Sequence, residues 1–172
     1  GPIQNPKSKT QNRNRRRGLS MLEATGAALI VGLSLVASLR AVRSSITGQR
    51  GAAETEKAGF LATAMMSEIK ELSYQNPTTP VLFGPEAGET GRKTFNDVDD
   101  YNAWSESPPQ NPDGSNLPDL NGWTRKVAVA WVSPTNVTQT SATESGAKLI
   151  TVTVLHNNVV RATRVGVRTN VP

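Results

Sequence analysis

The spacing of apolar and polar residues divides the chain into five stretches. Residues 19–39 are apolar with Glu23 as the only charge, and Arg40 and Arg43 follow. Wound as a helix, those 21 residues extend roughly 31 Å, the thickness of a bilayer's hydrocarbon layer. The run therefore predicts one transmembrane helix. Thr25, Ser34, Ser38, Gly26 and Gly32 make it less apolar than most spans, which a helix tolerates because it satisfies its own backbone groups. Over residues 40–74 the period changes: Phe60, Leu61, Ala64, Met65, Glu68, Ile69 and Leu72 recur every three or four positions, as on an amphipathic helix. Asn76-Pro77 predicts its end near Tyr74, because a residue before proline disfavours helical geometry. Gly48 and Gly51 cost about 1 kcal/mol each inside a helix, so a kink or break is expected over 47–51. Met65-Met66 reads as packing against a sheet and not as a soft-metal site.

Periodicity vanishes over residues 75–122, where Pro77, Pro80, Pro85, Pro108, Pro109, Pro112 and Pro118 interrupt any regular element. So long a connection predicts a packed surface loop with short strands or turns, anchored by Phe83, Phe95, Tyr101 and Trp104. In the last stretch, 123–172, β-branched residues alternate with polar ones and predict three strands at 123–132, 149–155 and 159–167. His156-Asn157-Asn158 is short enough to join the last two as an antiparallel hairpin, with 133–146 a polar loop between the first two. Val127, Val129 and Trp131 are expected to face the helix, and Arg125, Lys126, Arg161 and Arg164 to point outwards or sit at edges. The predicted class is α+β: a long N-terminal helix, its first half transmembrane, packed on a small antiparallel sheet.

Composition narrows the chemistry. A length of 172 residues allows one ordinary domain, and the absence of cysteine excludes disulfides, thiolate metal sites and Cys nucleophiles. The single histidine, His156, reads as an exposed turn residue, and no nucleophile, base or metal constellation predicts an enzyme or a cofactor. The net charge of +5 is carried by residues 1–18, which hold Lys7, Lys9, Arg13, Arg15, Arg16 and Arg17 and no acid. Removing those six from the 19 Lys plus Arg leaves 13 bases against 14 acids, so no nucleic-acid partner is expected of the body. Asn96-Asp97-Val98-Asp99-Asp100, with Glu106 and Asp113 nearby, offers hard oxygen ligands, and Asp97, Asp99 and Asp100 are the calcium candidates. Without EF-hand spacing the expectation is a solvated or Arg-paired acidic turn and no metal; nor do these acids form a hydrolytic pair.

Orientation follows from the flanking charges. Six basic residues precede the apolar run and four follow within about 18 residues, so the N-terminus is expected on the cytoplasmic side. A basic stretch before an apolar run also describes a secretory signal peptide, cut near Leu35-Val36-Ala37. Glu23 argues against that, because a charge at mid-bilayer costs about 2–3 kcal/mol and requires compensation. Ser20-Met21-Leu22-Glu23 has capping-box spacing, which would compensate it locally.

The order Arg15-Arg16-Arg17-Gly18-Leu19-Ser20-Met21-Leu22-Glu23, followed by an apolar helix, resembles the processing site of type IV prepilins and type II secretion pseudopilins. The resemblance implies that residues 1–18 are a leader, with Arg15, Arg16 and Arg17 as its basic cluster. It implies a prepilin peptidase that cuts between Gly18 and Leu19, N-methylation of Leu19, and a Glu23 that pairs with the N-terminal amine of a neighbouring subunit. Leu19 stands where Phe or Met is commoner in the family, and the helix lacks the proline frequent in major pilins. Ala24, Ala28 and Gly32 on one helix face, and Ser34 and Ser38 on another, suit close helix packing. Within the class, the short leader and the loop beginning Phe83-Gly84-Pro85-Glu86 look most like the PilV-like minor pilins that modify type IV pili. The function implied is a minor pilin-like filament subunit in the inner membrane and then in a periplasmic or extracellular filament, with other pilins or pseudopilins as partners. A minor pseudopilin of type II secretion and a signal-anchored or secreted envelope adhesion domain are the alternatives.

Overall fold

The computed structural model describes residues 20–79 and 82–170. Gly18, Leu19 and the Arg15, Arg16, Arg17 cluster lie outside the described residues. The chain divides into two units, one ending at Thr47 and one beginning at Gly48. A single helix, α1 (Met21–Glu71), supplies residues to both.

The first unit is the start of α1. Its large apolar side chains are exposed, from Met21, Leu22, Leu29 and Ile30 to Leu39, Val42 and Ile46. The helix is long and apolar enough to cross a membrane. Its hydroxyls fold back on their own helix: Thr25 Oγ1 donates to the Met21 carbonyl, Ser38 Oγ to Ser34 O at 2.8 Å and Thr47 Oγ1 to Arg43 O at 2.9 Å. This satisfies each donor without a neighbour.

The expected break at Gly48 and Gly51 is absent, since helical geometry runs through both. Neither glycine has a positive φ, and nothing crowds either one, so no turn competes with the helix. Propagation is cooperative and outweighs a propensity cost of about 1 kcal/mol per glycine. The helix stops at Glu71, slightly before the predicted Tyr74. There Leu72 N bonds Ile69 O at 3.3 Å, and Ser73 O accepts from Val98 N at 3.1 Å in a parallel bridge to the acidic turn.

In the second unit the α1 residues Ala58, Leu61, Ala62, Met65, Met66 and Ile69 are buried against an antiparallel sheet. Phe60 and Ala64, expected in that face, are exposed, Phe60 by 74%. The sheet comprises β1 (Ser105–Glu106), β2 (Trp123–Ser133), β3 (Asn136–Thr140), β4 (Ala147–His156) and β5 (Val159–Thr169), in the order β1-β2-β4-β5 with β3 folded back on the end of β2. The two-residue β1 falls in the loop expected to hold short strands or turns, whereas β3 is a strand within the expected polar loop 133–146, all five of its residues exposed. The predicted hairpin is present, with His156 opposite Val159. Asn157 (φ 50°) and Asn158 (φ 63°) make its two-residue turn, in the left-handed region where asparagine is well tolerated. Val127, Val129, Ile150, Val152 and Val154 cover the helix, and Phe95, Val98, Tyr101, Leu120 and Trp123 close the core from the loop side. The α1–β5 approach is close at Gly166, where a Cβ would lie 2.8 Å from Met66 Sδ.

Two charges sit on the core side of the sheet: Arg125, which was expected to point outwards or sit at an edge, and Lys148. Arg125 is in phase with Val127 and Val129, Lys148 is in phase with Ile150 and Val152, and all are buried. Trp131, also in phase, is half-buried and packs edge-on against Phe83 at 4.6 Å. Lys126 and Arg164 are exposed as predicted, while Arg161 pairs with Glu54 at 2.9 Å. His156 is not an exposed turn residue: it stacks on Trp123 with centroids 4.5 Å apart, its Nδ1 3.4 Å from Glu54.

Candidate functional site

Each unit offers one candidate, and the two differ in kind. In the first, Ser20 caps α1: its carbonyl accepts from Ala24 N at 3.0 Å and its Oγ from Glu23 N at 3.2 Å. The capping box is therefore half made. The Glu23 carboxylate is exposed and has no donor among the described residues. One turn further on, Thr25, Ala28, Leu29, Gly32, Leu33 and Val36 line an open apolar groove.

The second candidate is the acidic turn, which is neither solvated nor Arg-paired. Asp97, Asp99 and Asp100 are all buried, the latter two in a 3-10 turn (Asp99–Tyr101). The turn folds around its own carboxylates. Asp100 Oδ2 accepts from Asn96 N at 2.8 Å and Asp97 N at 3.1 Å, and Asp97 Oδ1 accepts from Asp99 N at 2.8 Å. Asp99 is held by two donors: Lys148 Nζ donates to Oδ1 and Gly84 N to Oδ2 at 3.0 Å. The same ammonium donates to Tyr74 O and lies 4.4 Å from the Tyr74 ring centroid. Asp99 therefore leaves the predicted calcium set, held by a lysine 49 residues away.

Glu86 takes its place. One carboxylate oxygen each from Glu86, Asp97 and Asp100 lie within 4.8 Å of one another. Glu89 braces the approach by accepting from Glu86 N at 2.9 Å and from the Asn96 carboxamide. Burial, together with the Asp99 carboxylate and then the Asp100 charge, pushes the Asp97 carboxyl up to about 8. Glu86 Oε2, Asp100 Oδ1 and Asn96 Oδ1 are buried with no hydrogen-bond partner.

Glu106 and Asp113 stand apart from this cluster. Asp113 is an exposed turn acid bonded to Ser115 N at 2.9 Å. Glu106 belongs to a buried network in which Arg125, directly opposite on β2, and Arg92 both reach it, Arg92 Nη1 at 3.1 Å. Arg92 also bonds Glu68 of α1 through Nε at 2.9 Å and Gln110 O through Nη1 at 2.7 Å. Tyr101 OH donates to Glu68 Oε1 at 2.6 Å; burial and that carboxylate push the phenol upwards. These groups are fully engaged with one another and tie loop, helix and sheet together.

Reasoning on the sequence missed Lys148, Arg92 and the joining of Glu86 to the aspartates. Phase was the available signal for Arg125 and Lys148, since every second residue from Val127 or Ile150 falls on the buried face. Nothing local marks Arg92, whose partners lie 14 and 24 residues away. No family model, curated protein or solved structure matches the chain.

Proposed function

We propose that the chain is a minor pilin-like structural subunit of a type IV pilus or a related filament, made as a single-pass membrane precursor with a cytoplasmic N-terminus. A prepilin peptidase removes residues 1–18, Leu19 becomes the methylated N-terminus, and the apolar helix assembles with other pilins or pseudopilins. The observation that carries this reading is the bare apolar stretch of α1, exposed from Met21 to Ile46, with one acid near its start and the Arg-Arg-Arg-Gly sequence just before it. A carboxylate in lipid needs a counter-charge, and Glu23 finds none within its own helix among the described residues. Small residues at Ala28 and Gly32 suit close helix contact. Cleavage at Ala37 has less support, because it would cut within the continuous helix Met21–Glu71.

The test is the mature N-terminus together with one isosteric variant. Mass analysis of the chain recovered from the envelope should show Leu19 first, and Gly18→Val should retain the leader. A mature chain starting near Ser38 would favour the secreted adhesion domain. Glu23→Gln should leave the precursor inserted, cleaved and folded, yet at least tenfold depleted from sheared filaments. Recovery at the wild-type level would overturn the pairing of Glu23 with a neighbouring amine.

A further inference from the structure

Lys148 and Asp99 are more than a buried ion pair, because a second acid is pressed against the first. Their side chains are 2% and 1% exposed, and Lys148 Nζ donates both to Asp99 Oδ1 and to the Tyr74 carbonyl. Asp97, itself 1% exposed, shares a side-chain hydrogen bond with Asp99, and its Oδ1 accepts from Asp99 N at 2.8 Å. Neutralising one buried aspartate takes one lysine, and a second carboxyl beside it adds only repulsion to a plain ion pair. A buried amine, a carboxyl in contact with it and a second carboxyl against the first are the groups that an amide condensation needs.

We infer that Lys148 Nζ condenses with the Asp99 carboxyl, assisted by Asp97, to form an amide that covalently links β4 to the 3-10 turn. The ion pair of the structure is the state before the reaction. In a pair taken out of water the neutral arrangement of amine and acid gains on the charged one, and it lies one proton away along the hydrogen bond already made. Burial and its hydrogen bond to Asp99 push the Asp97 carboxyl up to about 8, so at neutral pH an acid stands beside the carbonyl to be attacked. Gly84 N donates to Asp99 Oδ2 at 3.0 Å and stabilises the charge that gathers on that oxygen as Nζ adds to Cγ. The C–N bond forms from the Nζ lone pair, the Cγ–Oδ1 bond breaks, and Oδ1 departs as water. Of the three ammonium protons, two leave in that water and one stays as the amide N–H; Asp97 lends its proton to Oδ1 and recovers one from the nitrogen. Nothing is oxidised or reduced, and no co-reactant enters. The product keeps its fixed partners, since the amide N–H has the Tyr74 carbonyl and Oδ2 remains a carbonyl oxygen that accepts from Gly84 N. Holding the groups in contact replaces a bimolecular condensation by an intramolecular one, for which effective molarities reach about 10⁵–10⁸ M. The link ties together residues 49 positions apart, and it stands whether or not the chain is a filament subunit.

The experiment is intact mass and peptide mapping of the full chain, purified in detergent and denatured before measurement. The wild type should be one water lighter than the sequence requires from whichever N-terminus the same spectra show, so leader processing does not enter. Trypsin should leave the chain uncut after Lys148 and release one fragment in which the peptides carrying Asp99 and Lys148 are joined. Lys148→Arg keeps a cation for Asp99 but has no nucleophilic amine, and should show the full sequence mass. Asp97→Asn keeps an acceptor for Asp99 N but has no acid proton, and should lower the linked fraction at least about tenfold. The inference is overturned by a folded wild type at the full sequence mass, by a lost water that maps to other residues, or by a Lys148→Arg chain that is equally light. Linking in Asp97→Asn equal to the wild type's overturns the assistance by Asp97. Folding of each chain is read from cooperative thermal unfolding, and if a variant fails to fold, the wild-type mass and map decide alone.

Discussion

The two halves of α1 solve the problem of polar groups in opposite ways. Before Thr47 the hydroxyls of Thr25, Ser38 and Thr47 bond the carbonyl four residues back, and the apolar side chains face outward. Beyond Gly48, where Thr55 still bonds the Gly51 carbonyl, Leu61, Met65, Met66 and Ile69 face inward, and Glu68 is satisfied by Arg92 and Tyr101, 24 and 33 residues away in sequence. A helix meant for lipid must close its polar accounts within itself, because lipid offers no donor or acceptor. A helix on a folded domain can use distant partners, which ties its stability to the whole tertiary structure.

The largest effect expected from this contrast is at Lys148. Lys148→Met leaves Asp99 buried without its cation and should cost about 3–5 kcal/mol, read by denaturant unfolding followed at the tryptophans. The exposed Lys126→Met should stay within about 0.5 kcal/mol. A loss below 1 kcal/mol at Lys148 would mean that the buried pair is dispensable.

Next in size is a pair of truncations, one in each half. Ile69→Ala opens a cavity under the sheet and should destabilise the second unit by about 2–5 kcal/mol. Leu33→Ala removes a similar volume from the exposed stretch and should leave that unfolding unchanged, because its side chain is exposed. Equal effects on the same transition would erase the distinction between the two halves.

A further effect is a pH dependence. Asp97 titrates near 8 in the folded chain and near 3.9 unfolded, so the folded state binds the extra proton between those values. Its contribution is fully present below about pH 4 and is lost as pH rises through about 8. Tm should therefore fall across that window, and Asp97→Asn should flatten the slope.

How far local pattern reaches is visible in particular residues. Val159 to Val167 and the Asn157-Asn158 turn were readable because a hairpin needs only period-two alternation and two residues that accept positive φ. The loop anchors Phe95 and Tyr101 were readable because large aromatics in a proline-rich stretch have few alternatives to burial, and they meet edge-on at 4.9 Å. The break expected at Gly48 and Gly51 did not form, because cooperativity over a long helix outweighs two local propensities.

The candidate sites divide along the same line. Glu23 stood out in the one-dimensional chain, since a lone acid in an apolar run is conspicuous wherever the chain folds. The acidic turn was visible as composition only. That Lys148 neutralises Asp99, and that Glu86 meets Asp97 and Asp100, depends on how β4 and the loop pack. Spacing along the chain specifies what a residue can do with partners a turn or a strand away. Which buried charge neutralises which, across 10 to 50 residues of loop, is decided by the low dielectric of the assembled core, where every unmatched oxygen must find a cation, a donor or a proton.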